Sequence, residues 1–210
     1  YLHVVSEGFV ASGAQLVHGR IGRCDRGATG FSHAAWRVAR DAKLVHSDAL
    51  LADGTWKTEA VPSLEGTGAS ANGFALALPG ARGHADVRFV EDHRASDTTS
   101  RVVFRGVAAG RGKAVFTGLL RIREGAARAE AYEEARAMLR STSAHADVLP
   151  ELEILNHDVR CSHGAAVGPV DADALFYLTT RGLSREEAEA VLVEGFVAPV
   201  VEALPDALVA

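Results

Sequence analysis

Cysteine is nearly absent: Cys24 and Cys161 are the only two in 210 residues. Two are too few for a disulfide framework, and the chain reads as a cytoplasmic protein of a reducing compartment. Lysine is confined to Lys43, Lys57 and Lys113, so arginine carries nearly all the positive charge. That charge is not in excess. Against 22 Lys+Arg stand 27 Asp+Glu, a net charge of −5, and a mildly acidic chain is not built to wrap nucleic acid. Long apolar runs are missing as well. The longest stretches, such as Phe74–Pro79, fall far short of a membrane span, and no charged, then apolar, then small-residue leader opens the chain. A Walker loop is also lacking. Gly110-Arg-Gly-Lys113 has its flavour, but neither the spacing nor a following helix.

Hydrophobic residues make up 48% and charged residues 23%, a globular composition with ample length for a core. Trp36–Leu51 alternates apolar and polar positions with no sustained helical period. Further short strands fall at Ala75–Leu78, Val87–Val90, Val102–Phe104, Ala114–Thr117 and Leu119–Arg123. Glycines at 80, 83, 106, 110, 112, 118 and 125 punctuate them. Strands of three to six residues with frequent turns define a mainly β body. Only Asp53-Gly54 and Asn72-Gly73 are strong hairpin signals, which favours a β-solenoid over a sandwich, although no crisp repeat is visible.

The last forty residues change character. Asp171 is placed to cap a helix over 172–181, and Gly182 to end it. Ser184 with Glu187 forms a capping box for a second helix with an apolar stripe of Ala188, Val191, Leu192, Gly195 and Phe196. Pro199 is expected to kink or break that helix, and Pro205 to end the structured part. The expected division is a solenoid over 1–168 and a helical unit over 169–210. Ala126–Arg140 conflicts with this plan, since its Ala, Glu and Arg content has high helix propensity.

Chemistry concentrates in Asn156–Gly168, which holds His157, Asp158, Cys161 and His163. Two residues apart on a strand, Cys161 and His163 point to one face. A thiolate and an imidazole there suit iron or zinc, or a nucleophile and its base. Two ligands do not complete a tetrahedral site, and a buried thiol beside a hydrogen-bonded histidine is the plainer alternative. Arg20, Arg23 and Arg26 read as a solvated turn, and His84 and His93 as solvated or satisfied core histidines on nearby strands. Cys24 matches nothing.

From Leu152 the chain resembles the C-terminal signature of the SufB/SufD family, scaffold subunits of the SUF iron–sulfur cluster assembly machine. The match runs through Leu152–Ile154, Asp158, Val159, Cys161, His163, Gly164, Ala165, Gly168, Leu175–Leu178, Arg181–Ser184, Glu186–Ala188 and Gly195-Phe196. The Cys-Ser-His-Gly version looks like the SufD branch. Upstream, His93, Thr98–Ser100, Phe104–Gly106 and Gly110–Phe116 with Gly118 also agree, so the resemblance runs from about His84 to Val197. Residues 1–80 agree only in their strand-and-glycine texture. The family's N-terminal helical domain has no counterpart here, as in a fragment or a short family member.

The resemblance implies a right-handed parallel β-helix followed by a small helical domain. It also implies extended structure over Ala126–Arg140, with a short strand near Met138–Ser141. It implies a non-catalytic subunit that pairs with a SufB-like partner by its solenoid edge, or with a second copy of itself. His163 and Cys161 become candidate ligands of a transient iron–sulfur cluster at that interface, with none expected in the isolated chain. Leu175, Phe176, Tyr177, Val191, Leu192 and Phe196 become the candidate dock for a SufC-like ABC-type ATPase. The alternatives are a β-helix enzyme acting on polysaccharide and a homodimeric family member without a cluster role. The first wants an aromatic-lined groove, and aromatics are only 6% here.

Overall fold

A computed structural model of the chain describes residues 1–205. Twelve strands precede two helices: β1 (Leu2–Val10), β2 (Gln15–Cys24), β3 (Thr29–Val38), β4 (Lys43–Ala52), β5 (Thr55–Leu64), β6 (Ser70–Pro79), β7 (His84–His93), β8 (Thr99–Ala108), β9 (Lys113–Ile122), β10 (Glu130–Leu139), β11 (His145–Ile154), β12 (Arg160–Pro169), α1 (Ala172–Thr180) and α2 (Arg185–Val201). Odd strands form one parallel sheet and even strands the other, in the orders β1-β3-β5-β7-β9-β11 and β12-β10-β8-β6-β4-β2. Each odd–even pair is one coil, and six coils stack as a β-solenoid. Register partners lie from 26 residues apart (His33 and Glu59) to 32 (Arg121 and Glu153), and this drift is why no crisp repeat shows in the sequence.

Alternate residues of both sheets point into the lumen. Phe89, Phe104 and Phe116 are fully buried there, with the rings of Phe104 and Phe116 stacked at 4.6 Å. Leu64, Leu120 and Ile122 fill the flanking layers. Burying each such side chain contributes roughly 1.5–3 kcal/mol.

Several expectations are corrected by this architecture. Most strands run ten residues, not three to six, because glycine does not end them: Gly73, Gly106 and Gly118 lie inside β6, β8 and β9. Asn72-Gly73 is therefore no turn. Asp53-Gly54 is a corner that carries the chain from one sheet to the other, not a hairpin, since β4 pairs with β2 and β6. Ala126–Arg140 holds neither a helix nor only a short strand. β10 spans Glu130–Leu139, locked in register between β8 and β12, and two parallel ladders override its helix propensity. His84 and His93 are the two ends of one strand, β7, rather than residues of two nearby strands. Arg20 is not in a turn: it lies in β2 and binds buried Asp48. Pro199 does not break α2, because it sits in the last turn, where only one backbone bond is lost.

The helices begin and end as read. Asp171 accepts hydrogen bonds from the backbone N–H groups of Asp173 and Ala174, and Ser184 and Glu187 make the reciprocal box. Gly182 leaves α1 at φ +98°, a conformation that favours glycine. α2 lies along the outer face of the even sheet. There Val200 joins Ala49, Leu76 and Val103 in an apolar cluster, and the Ser47 hydroxyl donates to the Ala203 carbonyl at 3.0 Å. Its place is a sheet face, not the open end of the solenoid.

Candidate functional site

The last coil is where the solenoid stops. Among the described residues β11 pairs only with β9 and β12 only with β10, so each offers a free edge. With no further coil, side chains that are buried elsewhere stand uncovered. Leu152 is 38% exposed and Ile154 42%, whereas their register partners Leu120 and Ile122 are 0% exposed. Val167 follows the same rule at 44%.

Cys161 and His163 sit on this end, opposite Ala131 and Glu133 of β10. Cys161 is half-buried against the small apolar cluster of Leu120, Ile122, Ala126 and Ala129. Burial pushes its thiol above the ordinary range, so proton loss needs a metal or another cation. His163 is exposed. Among the described residues no group of three His, Cys, Asp or Glu side chains could hold a metal ion. Cys161 and His163 thus offer two donors on one face of an open edge, half of a four-coordinate site.

Two buried groups escaped the sequence reading. Glu91 and Glu133 are 0% and 1% exposed, and among the described residues none of their four carboxyl oxygens has a hydrogen-bond partner. Burial, with Glu133 nearby, pushes Glu91 well above the carboxylate range. Burial, with Glu151 adding to it, takes Glu133 up to about 7. The signal in the sequence was a charged residue at an inward position of an alternating strand, but a misplaced β10 hid it for Glu133. Asp48, another buried carboxyl group, is well partnered. Burial would raise the Asp48 carboxyl, yet hydrogen bonds from Arg20 (Nε and Nη2, both 2.7 Å) and His46 (3.2 Å) outweigh it and hold Asp48 far below its ordinary value. His93 is satisfied by Thr98 and Ser100, each at 2.8 Å, and burial lowers its ring to about 4. Cys24 is buried and donates to the Ala28 carbonyl.

The six apolar candidates on the helices divide. Phe176, Tyr177 and Val191 are exposed at 71%, 56% and 46%. Leu175 is buried, and Leu192 and Phe196 are half-buried. Phe196 faces the body, with the Arg105 guanidinium 5.5 Å from its ring centre and Arg105 Nε donating to its carbonyl. A groove of about 550 Å³ separates the helices from the last corners of the solenoid, lined by Leu139, Pro169, Leu175, Phe176, Arg185 and Glu189 among others. No helix among the described residues is long and apolar enough to cross a membrane.

A parallel solenoid with free terminal edges, one sheet of which is covered by α2, is the architecture of this chain. The SUF system FeS cluster assembly, SufBD core domain family model matches residues 1–196, and the chain belongs to that family. The match begins at residue 1, so the first eighty residues, unrecognised in the sequence, belong to the family core too. The chain is 29% identical over 197 residues to the iron–sulfur cluster assembly protein SufD of Escherichia coli, a match covering 94% of this chain and 47% of that protein. It is 30% identical over 206 residues to SufD of Bacillus subtilis, covering 97% and 47%. Similarity to the iron–sulfur cluster assembly protein SufB of Bacillus subtilis is 32% over 142 residues, covering 68% and 30%. The chain spans about half the length of the SufD relatives it matches.

Proposed function

We propose that this chain is the core of a SufD-like, non-catalytic scaffold subunit in cytoplasmic iron–sulfur cluster assembly. One observation carries the reading: Cys161 and His163 share the inward face of a strand whose outer edge is free and whose coil is half uncovered. A SufB-like subunit adding its own strands to β11 and β12 would continue both sheets and bury Leu152, Ile154 and Val167. It would also bring further donors to the thiol and imidazole. The cluster is cargo, held only while the interface supplies all its ligands. The similarity to SufD and SufB proteins supports this context.

The exposed Phe176, Tyr177 and Val191 are assigned to docking a SufC-like ATPase. Hydrolysis belongs to that partner, and this chain passes the movement to the cluster-building interface. Leu175, Leu192 and Phe196 serve the dock by fixing the helices rather than by touching the partner.

The test is co-expression with SufB-like and SufC-like subunits, purification of the complex, and iron and sulfide analysis. Wild-type complex should carry iron and sulfide in equal amounts, His163→Ala should carry much less with assembly intact, and the isolated chain should bind iron poorly. Normal cluster content in the variant would remove His163 from the ligand set.

A further inference from the structure

We infer that Glu133 is the positioning residue of His163: its carboxyl group accepts the ring N–H of His163 when a partner covers the open end. The inference rests on the reading of His163 as a cluster ligand.

Register puts the two residues directly opposite each other, Glu133 on β10 and His163 on β12, both facing inward. In parallel strands such neighbours lie about 5 Å apart, within reach of a glutamate and an imidazole. Glu133 is 1% exposed, and neither of its oxygens has a partner. Its neighbours Glu151, Val102 and Gly118 supply none: Glu151, which acts on it from β11, is a carboxyl group itself. On the far side of the ladder stands Val102. Across the lumen stands Gly118, where a Cβ would come within 1.8 Å of Glu133 Oε2. The glycine therefore makes room for a carboxyl group, and nothing in that room bonds to it. Glu91, one coil deeper, is a partnerless carboxyl itself.

A partnerless buried carboxyl is costly, and an apolar side chain would fill the place at less cost. His163 is the neighbour with N–H groups to give. It is exposed, so water satisfies its ring while the end is open. Covering the end removes that water and leaves Glu133 as the nearest acceptor. A histidine that binds metal through one ring nitrogen commonly donates the other N–H to a carboxylate, which fixes the tautomer and the ring plane. Cys161 needs no such support, because its sulfur is already packed against the wall of the coil.

The experiment compares wild type, Glu133→Leu, Glu133→Gln and His163→Ala, each assembled with the SufB-like subunit. Magic-angle-spinning NMR of histidine-labelled chain reads the His163 ring, whose signals are those missing from His163→Ala. Wild type should show one tautomer with a downfield ring N–H. Glu133→Gln should keep the tautomer with the N–H moved upfield, because a neutral acceptor binds less strongly. Glu133→Leu should show mixed tautomers and about a tenfold loss of cluster at limiting iron, against about twofold or less for Glu133→Gln. An unmoved ring signal in both variants overturns the inference. Should His163→Ala keep its cluster while Glu133→Leu still mixes the tautomers, the ligand reading falls and the positioning stands. Glu133→Gln is nearly isosteric, so its ring signal decides the matter even if Glu133→Leu fails to assemble.

Discussion

At the scale of single residues, the solenoid handles its buried ions in two ways, and each makes a prediction. Asp48 is held by Arg20, Thr58 and His46. Asp48→Asn removes the carboxylate facing a guanidinium that is itself mostly buried, and should destabilise by about 3–5 kcal/mol in urea unfolding. Glu133 is the opposite case, with no partner and a folded value of about 7 against 4.5 for a free glutamate. Its folded form binds more protons than its unfolded form between those two values. It therefore favours the fold below pH 4.5, and that advantage is lost as pH rises to about 7. His93, buried and lowered to about 4, pulls the other way over part of that range, because its unfolded form takes up the proton. The clean measurement is thus a difference. The stability of Glu133→Gln relative to wild type should rise by about 3 kcal/mol from pH 4.5 to pH 7 and level off above it. A pH-independent difference would show that Glu133 titrates as an ordinary surface carboxyl.

At the scale of elements, Gly118 and Glu133 form a coupled pair across one coil. A Cβ at residue 118 would overlap the Glu133 carboxyl. Gly118→Ala should destabilise by about 1–3 kcal/mol, and Glu133→Ala should remove most of that cost. A double-mutant cycle in urea checks it, and additive effects would sink the packing argument. The same pair explains where the sequence was legible. Helix ends depend on side chains within four residues, so Asp171, Gly182 and the Ser184–Glu187 box could be read directly. β10 could not. Its Ala131, Ala135 and Ala137 are inward residues of a strand held on both sides, and the partners that hold them lie about thirty residues away in either direction. Gly118 misled for the same reason, since a glycine that makes room across a lumen looks like a turn until the opposite strand is known. Of the candidate site, Cys161 and His163 were visible as a motif. Glu133 was hidden by the misread strand beneath them.

At the scale of the whole molecule, the solenoid's two surfaces ask for different things. The outer face of the even sheet is covered by α2, which buries Ala49, Leu76 and Val103. A chain ending at Gly168 would expose that cluster and should aggregate, so it cannot by itself separate docking from covering. Exposed positions can. Phe176 and Tyr177 project from α1 with little contact to the body. Replacing both with serine should leave the unfolding free energy within about 0.5 kcal/mol of wild type while lowering ATPase capture. The open end calls for a similar design. Val167 is 44% exposed, at the inward face of the terminal strand. A lysine there can reach solvent in the isolated chain, so the fold should tolerate it. In a continued sheet the same ammonium would be sealed between two coils with no counter-charge, which edge strands use to refuse neighbours. Val167→Lys should therefore abolish co-purification with the SufB-like subunit and leave the isolated chain's thermal midpoint near wild type. Retained pairing would place the interface elsewhere on the molecule, and Cys161 and His163 would then lie outside the interface, with no partner to complete their site.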